Sequence, residues 1–190
     1  MVKIERISEA SCANKDTHTH RGYKKAHRIV KDLMLQGNYG LGVQYDTLDL
    51  FARTCPWADF RNDLNPIFKE NGQTNMCMDA LEAAKTFDNA SLAVVYCDPP
   101  FSPQMAESKY DEVGTTNLYS DPSYMSKLGK EMYRIVEPGG FVIKAGFNSN
   151  APDPRFVAVA FILSHYHGSR NDVIFSVWQR QDGNLAIYYD

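Results

Sequence analysis

The stretch "VVYCDPPFSP", from Val94 to Pro103, holds the residues best suited to chemistry. A run of β-formers leads to Cys97 and an acid, and then prolines and an aromatic follow. An aromatic amino group is a poor nucleophile, because its lone pair is delocalised into the ring. An acceptor on each amino hydrogen helps to localise that pair and aim it at an electrophile. Asp98 supplies a charge-assisted acceptor, and the Pro99 carbonyl is a candidate for the second. Pro99 and Pro100 fix φ and remove backbone donors, so the loop presents acceptors without competing N–H groups. Phe101 offers a flat face on which a nucleobase stacks. The Asp98 carboxylate also suits removal of a proton once the amine has become cationic. The plainer reading of the same residues is a strand followed by a turn.

Further acids lie upstream at related places. In an open α/β sheet, ligands bind beyond the carboxyl ends of the strands. Asp49 lies within the candidate strand 45–51, Asp63 near the end of the weaker candidate 59–64, and Asp79 in "NMCMDAL" (75–81). Any one of these carboxylates alone reads as a helix cap or the start of a turn. Together with Asp98 they would line one rim of one crevice.

The elements that must position these residues follow from periodicity. "RGYKKAHRIVKDLMLQG" (21–37) has apolar residues at helical spacing and a glycine stop. "LAVVYCD" (92–98) is a continuous apolar run, as a buried parallel strand should be. "DPSYMSKLGKEMYRIV" (121–136) has helical spacing after an Asp-Pro start. Glu137-Pro138-Gly139-Gly140 breaks that helix and leads into the strand "FVIKAGF" (141–147). Segments 156–168 and 172–181 read as strands joined by the turn "SRN", and "LAIYY" (185–189) follows the turn Asp182-Gly183. "NMCMDAL" reads as a strand or a helix start, and residues 1–20 read as loosely structured. Strand–helix alternation followed by antiparallel hairpins predicts an α/β open sheet, mostly parallel.

Composition bounds the class. The chain has 190 residues, 44% of them apolar, which suits one domain with a sizeable core. No apolar run approaches the ~18 residues of a membrane span, and the N-terminus carries no signal-peptide stretch. The expectation is an intracellular, cytoplasmic protein that makes no membrane contact. Cys12, Cys55, Cys77 and Cys97 are far apart and read as reduced thiols. Cys12, His18, His20 and His27 match no standard zinc spacing, so no metal is expected. Net charge is −3, yet residues 15–31 carry Lys15, Arg21, Lys24, Lys25, Arg28 and Lys31 against Asp16 alone. This stretch is either a solvated helix face or a phosphate-contacting patch, with Lys24, Lys25 and Arg28 its candidate nucleic-acid contacts. His165 and His167 flank Tyr166 and read as solvent-facing or hydrogen-bonded structural residues.

"DPPF" resembles the fourth motif of the amino methyltransferases, which use S-adenosylmethionine to methylate adenine or cytosine amino groups in DNA. "MDALEAAKTFDNASLAVVYCDPPF" (78–101) is similar to that family's acidic turn, helix, strand and catalytic-loop block. "YMSKLGKEMYRIVEPGGFVIKAG" (124–146) is similar to its next helix, Pro-Gly-Gly turn and strand, and 167–183 to its closing hairpin. The resemblance spans roughly residues 45–185. It implies a Rossmann-like methyltransferase fold with an antiparallel C-terminal edge hairpin. It assigns Asp98, Pro99, Pro100 and Phe101 to the target-base loop. Asp63 would hold the cofactor ribose, Asp79 with Ala80 the cofactor adenine, and Asp49, Phe51 and Ala52 the methionine part. A loop that begins with Asp points to adenine first. An RNA guanine-amino or DNA cytosine-amino substrate is the alternative, as is a methyltransferase fold without activity that binds nucleic acid or a partner.

The chain departs from the family's Asp-x-Phe-x-Gly-x-Gly motif in one respect. It reads "DLFARTCPW", with Arg53 and Cys55 where the glycines belong. Only Ala52 to Ala58 separate the first two candidate strands, whereas a parallel crossover with its helix needs at least ~10–12 residues. Either that helix is missing or one strand is misplaced. Trp57 could then close the shortened pocket by stacking, or serve in the core or as a lid. The expected organisation is one domain over 1–190, with a basic segment and helix in 1–37 and a catalytic core in 38–190. It leaves no room for a separate recognition domain. The expectation is therefore weak sequence preference, reading with the help of a homodimer or recognition partner, or recognition of DNA by shape, and the target base must be flipped or single-stranded. The polar stretch 102–122 reads as a lid or binding loop.

Overall fold

The computed structural model describes residues 2–9, 17–36, 46–110, 121–166 and 172–181. Cys12, His167, the turn at 169–171 and the strand expected at 185–189 lie outside these residues. In chain order the elements are β1 (Lys3–Glu9), a 3-10 turn (Thr17–Thr19), α1 (Arg21–Gln36), β2 (Thr47–Asp49), β3 (Phe60–Arg61) and α2 (Pro66–Glu70). They continue with α3 (Ala80–Lys85), β4 (Leu92–Cys97), α4 (Pro103–Tyr110), α5 (Tyr124–Ile135), β5 (Val136–Gly146), β6 (Phe156–Tyr166) and β7 (Val173–Arg180).

The strands form one seven-stranded sheet in the order β1-β6-β7-β5-β4-β2-β3. β7 runs antiparallel to both β5 and β6, and the other pairings are parallel. This is the expected open α/β sheet with its antiparallel hairpin. Residues 3–9 correct the expectation of a loose N-terminus, for β1 pairs in parallel with β6 along its whole length. Its sequence, KIERISE, hides it: charged residues alternate with Ile4 and Ile7, as suits an edge strand that must resist further pairing. "NMCMDAL" proves to be a loop that ends in a helix start. It makes a single parallel bridge, Asn62 to Met76, before α3 begins at Ala80.

Both readings of the first two strands were placed correctly, and the crossover helix is what is missing. β2 and β3 pair in parallel at Leu48–Phe60 and Asp49–Arg61, joined by residues 50–59 without a helix. Asp59 secures this short connection by accepting from the Thr47 amide (3.1 Å) and hydroxyl (2.7 Å). The face left bare is covered from the other end of the chain. α1 lays Tyr23, Ala26 and Val30 on Tyr96, Ile143, Ile162 and Phe175, and Trp57 packs against that cluster. On the opposite face α3 and α5 bury Ala83, Ala84, Leu128, Met132 and Ile135 against Leu48, Val95 and Val142. Each large apolar side chain so buried contributes roughly 1.5–3 kcal/mol relative to exposure.

The Glu137–Gly140 turn is absorbed within β5 as an irregularity opposite β4, between the pairs Leu92–Val136 and Val94–Phe141. Gly139 adopts φ 83°, which a side chain would oppose. Gly22 matters differently, because it lets α1 sit tight on the sheet. A Cβ there would lie 2.1 Å from Ser164 Oγ and 2.6 Å from the Phe175 ring. Gly22→Ala should therefore lower stability by about 1–3 kcal/mol. Urea unfolding checks this, and an unchanged midpoint would show that α1 is free to shift.

Candidate active site

Strands β4, β2 and β3 are neighbours and run the same way, so their carboxyl ends form one rim. Asp98 directly follows β4, Asp49 ends β2, Asp63 follows the Asn62 bridge beyond β3, and Asp79 caps α3 just past Met76. The acids picked out from the sequence are thus brought to one side of the sheet. Two small cavities open there, and Phe51 lines both. The first is bounded by Asp49, Asp98, Ala52, Cys55, Tyr23 and His18. The second is bounded by Asp79, Ala80, Asn62, Pro100, Tyr110 and Tyr124.

The turn after β2 keeps the backbone form that its glycine-less sequence seems to forbid. Arg53 stands where the first glycine of the resembled motif belongs, and its φ is +46°. An L-residue in this left-handed region costs on the order of 1 kcal/mol, and the surrounding bonds hold it there. The Ala52 amide donates to Asn62 O at 2.7 Å, the Cys55 amide to Ala52 O at 2.7 Å, and the Arg53 amide to Asp63 Oδ2 at 3.2 Å. Asn62, fully buried, donates to Leu50 O and Met78 O and accepts from the Met78 amide. That one side chain sets the spacing of the two loops that carry Phe51 and Asp79.

The acids differ in what they can still accept. Asp63 takes the Asn65 amide on Oδ1, and the Arg53 amide and Tyr110 hydroxyl (3.2 Å) on Oδ2. Two donors fill Oδ2, which leaves one lone pair on Oδ1. Burial raises the Asp63 carboxyl, and these donors together with the Arg53 charge oppose that rise. Asp79 takes both the Leu81 amide (2.9 Å) and the Tyr124 hydroxyl (2.9 Å) on Oδ1, so Oδ2 remains for a ligand. Asp49 is 1% exposed and takes the Phe51 amide at 3.1 Å. Burial pushes its carboxyl up to about 7, against the Phe51 amide, and the neighbouring Asp98 charge adds to the rise. Burial also raises the Cys55 thiol, and that of Cys97 to about 12, so neither is a thiolate.

Asp98 is half-buried and faces the first cavity, while Pro99 and Pro100 are buried behind it. Phe101 is half-buried and meets Phe147 edge-on at 4.9 Å, and Phe147 is 43% exposed. Trp57 bounds neither cavity; it stacks on Tyr23 (5.2 Å) and His27 (4.5 Å), which is a core role. On α1, Lys24 and Arg28 are exposed, whereas Lys25 is ion-paired with Glu5 of β1 at 3.3 Å. His165 is hydrogen-bonded to Asp172 at 2.7 Å. Sequence reasoning passed over Tyr23, Tyr124 and Phe147, because each sits in an apolar pattern that reads as core, and over Tyr110 because 102–122 reads as a polar loop, whereas Pro103–Tyr110 forms α4. Among the described residues no cluster of His, Cys, Asp or Glu is placed to hold a metal ion, and no helix is long and apolar enough to cross a membrane.

The sequence matches no family model and no curated protein. Solved structures do match. The N-methyltransferase NodS from Bradyrhizobium japonicum WM9 aligns over 87% of this chain and 99% of its own, at 10% identity and a TM-score of 0.51. The 1,6-didemethyltoxoflavin-N1-methyltransferase of Burkholderia thailandensis, solved with its substrate and S-adenosylhomocysteine, aligns over 85% of this chain and 79% of its own, at 11% identity and a TM-score of 0.49. The Escherichia coli protein yhhF aligns over 90% of this chain and 91% of its own, also at 11% identity and a TM-score of 0.49. The sheet order and the NodS likeness define the fold: a Rossmann-like methyltransferase fold with an antiparallel hairpin at its C-terminal side.

The buried Asp49 gives a pH signature. Its carboxyl is raised in the folded chain above the unfolded value of 3.8, so the folded state holds the proton more tightly. The stability this provides is present below the unfolded value and is lost as pH rises through about 7. Asp49→Asn keeps an acceptor for the Phe51 amide and removes the titration. Urea midpoints from about pH 5 to about pH 8 should fall more steeply for the wild-type chain than for the variant. Parallel slopes would show that Asp49 does not carry the dependence.

Proposed function

We propose that this chain transfers a methyl group from S-adenosylmethionine to the exocyclic amino group of adenine in DNA. The observation that carries the proposal is Asp98: it stands at the end of β4, stiffened by two buried prolines, and faces a cavity it shares with Asp49. The residues present fit the cofactor. Its adenine amino group and ribose hydroxyls are donors, matched by Asp79 Oδ2 and the remaining acceptor of Asp63. Its amino-acid end is a zwitterion, matched by the cavity beside Asp49. Bound there, the cofactor would supply an electrophilic methyl carbon on a sulfonium.

The rest is done by the protein's own groups. Asp98 and the Pro99 carbonyl accept the amino hydrogens of the target and turn its lone pair toward the first cavity. Asp98 is placed to receive the proton that the target nitrogen would give up on methylation, the thioether of the donor being the leaving group. Phe101, with the exposed Phe147 beside it, offers the stacking surface for a base that has left its duplex. Lys24 and Arg28 are the phosphate contacts of this reading, since the Lys25 charge already meets Glu5. The preference for adenine and for DNA rests on the resemblance of the Asp98 loop to the amino methyltransferases.

A second reading has its own support. With Oδ2 of Asp63 filled by Arg53 and Tyr110, and with both motif glycines absent, the fold could bind nucleic acid or a partner without cofactor. S-adenosylmethionine should raise the melting temperature of an active enzyme, as a ligand of the native state does. No shift at saturation would favour the second reading. Labelled methyl donor offered with duplex DNA, single-stranded DNA and RNA should mark DNA. Asp98→Ala should lower that transfer at least ~100-fold at an unchanged melting temperature. Undiminished turnover in the variant would remove the catalytic assignment.

A further inference from the structure

Tyr23 carries one of the buried polar atoms that lack a hydrogen-bond partner among the described residues. The residue is 1% exposed, and the atom is its hydroxyl. A buried, unpaired hydroxyl costs roughly 1–3 kcal/mol, so one kept in a native structure calls for an explanation. Packing alone would be served as well by phenylalanine, because the ring is already held by Trp57, Tyr96 and Phe175. The hydroxyl instead belongs to a residue that bounds the first cavity, together with Asp49 and Asp98.

Two further features identify what the hydroxyl is waiting for. Tyr23 lies in the first turn of the 16-residue helix α1, which carries no acidic residue in that turn. The amides and dipole at a helix start favour a negative group. Across the same cavity stand Asp49 and Asp98, whose carboxylates favour a positive one. Burial, then the nearby Asp49 and Asp98 charges, keep the Tyr23 phenol protonated, so it acts as a donor. A ligand end with a cation on one side and an anion on the other fits this arrangement. An α-amino acid group is that ligand.

We infer that Tyr23 is a binding residue for the amino-acid end of the methyl donor, its hydroxyl donating to the ligand's carboxylate while Asp49 faces the ligand's ammonium. This rests on the proposed cofactor. It adds a residue from α1, outside the block of the chain that carries the family resemblance. α1 lies over β5, β6 and β7, and its Tyr23 stacks on Trp57 of the short 50–59 connection, beside the first cavity.

Tyr23→Phe separates this role from a structural one, because the two predict opposite signs. Calorimetric titrations of the full chain would use S-adenosylhomocysteine and 5′-methylthioadenosine, which lacks the amino-acid end. The variant should melt at or above the wild-type temperature. It should bind S-adenosylhomocysteine about tenfold more weakly and methylthioadenosine within about twofold of wild type. Equal affinity for S-adenosylhomocysteine in both proteins overturns the inference, as does an equal loss for both ligands. A clear drop in melting temperature overturns it too, since the hydroxyl would then be satisfied internally. If the wild-type chain binds neither ligand, the cofactor reading itself fails and takes the inference with it.

Discussion

Carboxyl groups at the ends of adjacent parallel strands repel one another, and the site is built around that repulsion. Asp98, Asp49 and Asp63 follow neighbouring strands, and Asp79 follows the bridge beside them. Burial and like charge both disfavour ionisation, which is why the most enclosed of them, Asp49, is raised to about 7. The protein answers mainly with neutral donors. The amides of Phe51, Arg53, Asn65 and Leu81 and the hydroxyls of Tyr110 and Tyr124 supply them. Neutral donors lower the cost of the charges without cancelling them. The cleft therefore keeps a net attraction for a cationic ligand, such as a sulfonium with an ammonium at its end.

The same economy of elements explains the distorted turn. A full crossover helix between β2 and β3 would cover one face of the sheet and bring its own start to the cleft. Residues 50–59 cannot form it, so the chain turns within a few residues and places Arg53 at φ +46°. Glycine would take that shape without steric cost. Here Asn62 and Asp63 hold the turn from outside through Asn62 O and Asp63 Oδ2. Part of Asp63's acceptor capacity is thus spent on structure.

How legible this was in the sequence depended on the physical signal behind each part. β4 and β5 are continuous apolar runs, and α1 and α5 carry apolar residues at three and four, so both kinds of element could be read directly. β1 could not: its burial is slight and its charges serve an edge. The short spacing after β2 was visible, but which of two explanations held was not, because spacing alone does not fix pairing. The placement of Asp49, Asp63, Asp79 and Asp98 on one rim followed from strand ends and parallel direction. The left-handed Arg53 was beyond reach, since its conformation is imposed by partners ten residues away. Tyr23 and Tyr124 were passed over because each ring satisfies an apolar pattern, and Tyr110 because it lies in a polar stretch; in none does the sequence say where the hydroxyl ends.

Two of those tyrosines, Tyr110 and Tyr124, also join the acids of the rim to the helices that flank the Asp98 loop. Tyr110 closes α4, the helix that follows the Asp98 loop, and its hydroxyl meets Asp63. Tyr124 opens α5, and its hydroxyl meets Asp79. The end of α4 and the start of α5 are thus each hydrogen-bonded to an acid of the rim. A ligand that takes Oδ2 of Asp63 must displace Tyr110, and with it the end of α4, whereas one that takes Oδ2 of Asp79 can leave Tyr124 in place. A ligand on Oδ2 of Asp63 thus acts on the helix that carries Met105, whose sulfur accepts from the Phe101 amide, whereas one on the free lone pair of Oδ1 leaves it in place. By this chain of contacts, what occupies Oδ2 of Asp63 bears on the position of Phe101.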